Sequence, residues 1–228
     1  MKNALLVLFV ALVLAGCSTL SEEECQLADW GARGRADGSL GSTVGAFERY
    51  TSSCNRFGIA PDFAAWEEGR QVGLKSFCTP QGVYSAGLRG VGSVGECGIA
   101  PDLSRIHGAS RRVWQVEREI RSAERALDSL LSSYRWDQQN IRNMRRKLRR
   151  DDLGKKERRR AENSLRNSLR DLDAFPFRQR EQLRRIRWAE RDRTEAIIAL
   201  SRIEDEFGLG GGGYSRNRTF SRFDPLLP

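Results

Sequence analysis

The side chains able to do chemistry are few and unevenly placed: five cysteines, a single histidine (His107), the aspartates Asp37, Asp62 and Asp102 of the glycine-rich half, and a knot of cations. Between positions 145 and 160 stand Arg145, Arg146, Lys147, Arg149, Arg150, Lys155, Lys156, Arg158, Arg159 and Arg160 against Asp151, Asp152 and Glu157, a net +7 in 16 residues. Guanidinium groups bind phosphate or carboxylate through a planar two-pronged fork, so this knot is a candidate anion-binding site. One histidine excludes an ordinary metalloenzyme or a His-based hydrolase, and no G-x-S-x-G, H-E-x-x-H or phosphate loop is present. Asp37, Asp62 and Asp102 are the carboxylates from which an envelope enzyme acting on wall material could be built. Asp62 and Asp102 each follow a proline, however, and read most simply as first-turn helix residues favoured by the dipole. No catalytic residue, metal site or cofactor is expected.

The cysteines divide by position. Cys17 closes Leu14-Ala15-Gly16-Cys17 after Lys2 and an apolar run from Ala4 to Leu14. Eleven apolar residues are too few to cross a bilayer core, which takes about 20 in a helix, so residues 1–16 read as a cleaved signal peptide. The motif resembles the lipobox of bacterial lipoproteins. That resemblance implies a diacylglycerol thioether on Cys17 and a further fatty acyl chain such as palmitate on the new amino terminus, with residues 17–24 as the linker. Ser18 rather than Asp follows the cysteine; in the Gram-negative sorting rule that this resembles, that implies the outer membrane, most simply facing the periplasm. Cys25, Cys54, Cys78 and Cys97 then remain, an even number in an oxidising compartment, and two disulfides are expected. None of their spacings is that of a C-x-x-C pair, and all three pairings remain open.

Two materials must position these groups. Residues 21–110 hold 15 of the 22 glycines with 8 basic and 11 acidic residues; residues 111–207 hold one glycine with 27 basic and 18 acidic residues, a net +9. The expected fold is all-α: a small disulfide-stapled helical head over 25–110, then an antiparallel helical hairpin, a coiled-coil arm, over 111–207. Residues 208–228 open on Gly-Leu-Gly-Gly-Gly-Gly and read as a flexible tail.

In the head, Gly58-Ile-Ala-Pro-Asp62 recurs as Gly98-Ile-Ala-Pro-Asp102, each after a cysteine. Upstream, Trp30, Ala32 and Gly38-Ser39-Leu40-Gly41 lie 54 positions before Tyr84, Ala86 and Gly92-Ser93-Val94-Gly95, so the head reads as a duplication. The Gly-Ile-Ala-Pro-Asp segments predict helix-to-helix corners, with a left-handed glycine and a proline in the first turn of the following helix. Gly31, Gly34, Gly38, Gly41 and Gly45 recur at steps of 3 and 4. In a helix they form a stripe without side chains, retained only if another backbone packs against it; the alternative is an irregular glycine loop.

The order Cys25, Trp30, Asp37-Gly38, Gly41, Cys54, Gly58, Asp62, Gly69, Gly73-Leu74, Phe77-Cys78, Gly82, Gly87, Cys97 and Gly108 resembles domain-of-unknown-function family 2799, found in bacterial lipoproteins. The resemblance spans residues 24 to 110, with Trp66 where the family pattern has Tyr, and it implies no activity.

In the arm, Val113, Val116, Ile120, Ala123, Leu127, Leu130, Tyr134, Asp137, Ile141, Met144 and Leu148 follow one another at steps of 3 and 4, a coiled-coil seam over five heptads. A weaker seam runs from Leu165 through Leu169, Leu172, Pro176, Leu183 and Ile186 to Phe207. Pro176 predicts a kink or short break. The turn is expected at Asp151-Asp152-Leu153-Gly154, which puts the cation knot at the tip of the arm. Arginine outnumbers lysine 34 to 5; a GC-rich genome would raise the total without concentrating it there. These features point to an envelope interaction protein with an anionic partner, such as lipopolysaccharide phosphates, phospholipid headgroups or wall carboxylates. A coiled-coil protein partner or a homo-oligomer would use the seam. Export argues against nucleic acid as the partner.

Overall fold

The computed structural model describes residues 20–209, all helical or in connecting turns, with no strand among them. Cys17 and residues 210–228 lie outside them. Seven α-helices follow in order: α1 (Glu22–Gln26), α2 (Trp30–Ser39), α3 (Phe47–Asn55), α4 (Phe63–Phe77), α5 (Pro80–Arg89), α6 (Pro101–Leu148) and α7 (Lys155–Phe207). Short 3-10 turns at Val44–Ala46 and Val94–Cys97 precede α3 and α6. The chain divides into two compact units after Gly108, a head and a hairpin. Among the described residues no helix is long and apolar enough to cross a membrane.

The head is built on contact between two backbones. A Cβ on Gly34 would fall on the carbonyl of Trp66, and one on Gly38 on the carbonyl of Arg70. The relation is reciprocal, because a Cβ on Gly69 or Gly73 would strike the carbonyl of Gly31 or Arg35. Helices α2 and α4 thus interlock through glycines on both faces. The expected stripe holds as far as Gly38; Gly41 lies beyond the helix at φ +70°, and Gly45 sits in a 3-10 turn.

Disulfides Cys25–Cys54 and Cys78–Cys97 close loops with separations of 29 and 19 residues, which settles the pairing as one bridge within each copy of the repeat. The copies correspond in a register other than the 54-residue offset. Gly41 and Gly92 both have positive φ, and added Cβ atoms at either would meet the Phe77 ring. A 3-10 turn follows each, and Ser93 N donates to Gly41 O at 2.9 Å. The offset is therefore 51 residues at this point. The Ile-Ala-Pro-Asp corners also differ. Both glycines have positive φ, but Pro101 opens α6 as predicted, whereas Pro61 precedes the helix and Asp62 is the N-cap of α4.

Around this frame Trp66, Phe77, Val83 and Ile106 are fully buried. Cys25, Trp30, Ala46, Cys54 and Trp66 form one cluster with Phe47 and Tyr50 packed against it. His107 is a packing residue, its Nε2 2.9 Å from Val91 O and its ring edge-on to Phe77.

In the hairpin unit, α6 and α7 run antiparallel. Asn140 Nδ2 donates to Ser164 Oγ (3.0 Å) and Ser168 Oγ (2.9 Å), and Tyr134 packs on Phe175 with ring centroids 4.2 Å apart. Further along, Leu127 and Ala123 meet Ile186. Every predicted seam position of α6 is buried or half-buried. On α7 the seam is shifted by one residue in places: Ser168, Phe175, Ala189 and Ala196 turn inward, while Leu169 and Pro176 are exposed. Small side chains face the partner helix because they let it approach, and a pattern ranked by hydrophobicity passes over them. Helix α7 runs unbroken through Pro176, which lies on its exposed side, where loss of one amide donor costs least.

Candidate functional site

Two polar constellations stand out, one inside the head and one at the hairpin tip. In the head, the Asp37 carboxylate is held by α2 against α4 and is nearly buried. Its Oδ2 accepts hydrogen bonds from Tyr50 Oη and Trp66 Nε1, both at 2.9 Å. Burial raises the Tyr50 pKa, and its bond to Asp37 adds to that effect. One turn further along α4, Arg70 is 2% exposed. Its guanidinium pairs with Glu67 through Nε (2.7 Å) and Nη2 (2.8 Å), while Nη1 donates to Glu96 Oε2 (2.6 Å) and Ser42 O (3.0 Å). The Arg70 bond holds the Glu67 carboxyl below its ordinary range, and Glu67 in turn raises the Arg70 pKa further. These groups spend their hydrogen-bonding capacity on one another, as buried ionic groups must. The constellation ties α4 to Ser42, just ahead of the first 3-10 turn, and to Glu96 inside the second, and it offers no free nucleophile.

The other carboxylates are used locally. Asp62 Oδ1 accepts from Ala65 N at 3.0 Å as a helix cap, and exposed Asp102 lies 3.6 Å from Arg105 in its own first turn.

At the tip, the turn between Leu148 and Lys155 brings all ten predicted cations to one end of the hairpin. Four have local partners. Arg158 donates to Leu148 O and Arg150 O, both at 3.2 Å, and so caps the carbonyl end of α6. Arg150 grips Asp152 with two bonds of 3.0 and 2.7 Å, which raises its own pKa and lowers that of the carboxylate. Arg146 donates to Asn143 at 2.7 Å, and Lys147 lies 3.9 Å from Glu157. The side chains of the other six, Arg145, Arg149, Lys155, Lys156, Arg159 and Arg160, are exposed and make no ion pair or hydrogen bond among the described residues.

Their placement runs against helix stability. Lys155, Lys156, Arg158, Arg159 and Arg160 open α7, where the dipole is positive, with Glu157 the one acid in the first turn. The N-cap, Gly154, makes no side-chain capping bond, so the first amides of α7 point outward beside these cations. Such an arrangement is suited to receive an anion.

Residues 29–112 match the family model described as "Protein of unknown function (DUF2799)". The head is a DUF2799 domain. No curated protein and no solved structure matches the chain. The match takes in the interlocked glycines, the Asp37 and Arg70 constellations and Cys54, Cys78 and Cys97. The cations of the tip lie outside the DUF2799 domain, as does the remainder of the hairpin. The cations of the tip stand out in the sequence, whereas the role of Arg70 inside the DUF2799 domain does not. Of the three residues between Gly69 and Gly73 only Arg70 is buried, while Gln71 and Val72 are exposed, so position between the glycines does not by itself mark it.

Proposed function

We propose that this protein is a non-catalytic lipoprotein of the cell envelope, attached to the outer membrane through acylated Cys17 and facing the periplasm, in which the hairpin tip binds an anionic partner. The observation that carries the reading is the set of six exposed, unpartnered cations at the turn, with Lys155, Lys156, Arg159 and Arg160 in the opening turns of α7. Cations opening a helix oppose its dipole by about 0.3–1 kcal/mol each, so their position there is better explained by a ligand than by folding. Phosphate-bearing headgroups, of phospholipid or lipopolysaccharide, fit the guanidinium fork best; wall carboxylates and an acidic partner protein share the same chemistry.

The test uses the full chain carrying Cys17→Ser, so that binding reports the tip and not the anchor. Its association with phosphatidylglycerol vesicles should fall as salt rises, because screening shortens to about 8–10 Å at physiological ionic strength. Changing Arg145, Arg149, Lys155, Lys156, Arg159 and Arg160 to Gln should remove the salt-dependent part. Equal binding by the two chains would remove the tip from consideration. In the parent chain, a mass without acyl groups on Cys17 would end the anchoring part of the proposal.

A further inference from the structure

One long face of the hairpin is left open. On α6 its wall is made of small residues, Ser122, Ala126, Ser129 and Ser133, spaced by 4, 3 and 4. Three contiguous cavities follow this wall, the widest about 740 Å³ beside Trp188, and neighbouring cavities share Glu181, Leu130, Ser133 and Arg178. Three large rings stand in water along it: Trp136 (64% exposed), Phe177 (70%) and Trp188 (62%). A row of exposed aromatics beside a small-residue groove is an interaction surface.

Charge narrows the occupant. At the Trp188 end the groove is lined by Glu119, Glu181 and Asp192 against Arg184 and Arg185; at the other end, by Asp137 and Asp171 against Arg178. The lining is thus net −2 on a helical unit of net +9. An anionic ligand of the kind fitted to the tip is disfavoured here, and a basic, aromatic segment is favoured.

The chain carries such a segment. Residues 214–228 contain Tyr214, Phe220, Phe223, Leu226 and Leu227 with Arg216, Arg218, Arg222 and Asp224, a net +2. They follow Gly210–Gly213, which pose no steric bar to a reversal of direction. We propose that this groove is the docking surface of the chain's own segment 214–228.

The distances agree. Trp188 is 21 residues before Leu209, roughly 32 Å along the helix, and Phe220 is 11 residues after Leu209, up to roughly 36 Å in extended chain. Phe177 lies roughly 48 Å back, within the roughly 56 Å that Leu226 can span. The chain after Leu209 is therefore long enough for Phe220 to meet Trp188 and Leu226 to meet Phe177. This proposal does not depend on the reading of the tip.

The test places the photo-crosslinking residue p-benzoylphenylalanine at Phe220 in the full chain and maps adducts by peptide mass. Adducts are expected within single molecules, on the α7 peptide that carries Trp188. Charge reversal by Glu181→Arg with Asp192→Arg, and separately Trp188→Ala, should each cut their yield at least about fivefold. These positions are exposed or half-buried, and helix content by circular dichroism confirms that the variants fold. Adducts confined to covalent dimers would assign the groove to a second copy and overturn the proposal. So would adducts scattered over the hairpin, no adducts at all, or a yield unchanged by the substitutions.

Discussion

The head and the hairpin solve the same problem with opposite materials. In the hairpin, side chains fill the space between two helices, with the apolar seam of α6 packed against α7 and the Asn140 hydrogen bonds beside it. In the head, the central contact between α2 and α4 excludes side chains, so two backbones touch and the flanking Trp66, Phe77 and disulfides supply the burial that the glycines cannot. A small domain with few large core residues needs such staples. The comparison teaches that the two units fail under different insults, and each prediction below perturbs one unit while leaving the other in place.

Reduction should have the largest effect. On loop-closure entropy alone, bridges separated by 29 and 19 residues contribute about 3.6 and 3.2 kcal/mol. Reducing both should melt the head while the helical signal of α7, whose sequence has no cysteine, persists. Retention of the head's near-ultraviolet dichroism after reduction would show that the glycine contact holds by itself.

Next comes Gly38→Ala, whose methyl would overlap the carbonyl of Arg70. We expect a loss of about 3 kcal/mol, at the upper end of overpacking costs, read as a lower denaturant midpoint for the head. Gly108→Ala sharpens the result, because a Cβ there meets nothing within 4 Å and should stabilise α6 by up to about 1 kcal/mol. Equal effects from both substitutions would mean that the interlock is not a close contact.

The smallest effect is on pH. The Glu67 pKa in the folded head is depressed, chiefly by the Arg70 hydrogen bond, so the stability it contributes is complete above its ordinary value of 4.5 and is lost as pH falls from there toward the folded value. The head's melting temperature should therefore drop on acidification below about 4.5, and Glu67→Gln should flatten that drop. The hairpin should show little of this, since its comparable pair, Arg150 and Asp152, is fully exposed to water.

How much of this was legible beforehand follows from what each signal is made of. The α6 seam, the turn and the corner at Pro101 are written in residue types with strong local meaning, and the helices follow them; at the Pro61 corner the helix starts two residues later, after the Asp62 cap. The glycine stripe announced a close approach, but its partner, Gly69 with Gly73, has only two members and was seen only as part of a family pattern. Pairing of the cysteines depends on which segments meet in space, and no local rule carries that. The one-residue shifts on α7 arise because Ser168, Ala189 and Ala196 are valued for being small. Of the candidate site, the ten cations could be placed from spacing alone, whereas the loss of Arg158 and Arg150 to the turn needed coordinates.

The interlocked faces of α2 and α4 also limit how this domain can change. In an ordinary core an enlarged residue is accommodated when a neighbour shrinks. Where carbonyl meets hydrogen there is nothing left to trim, so no second substitution can rescue the first, and the two helices must keep their mutual register or separate.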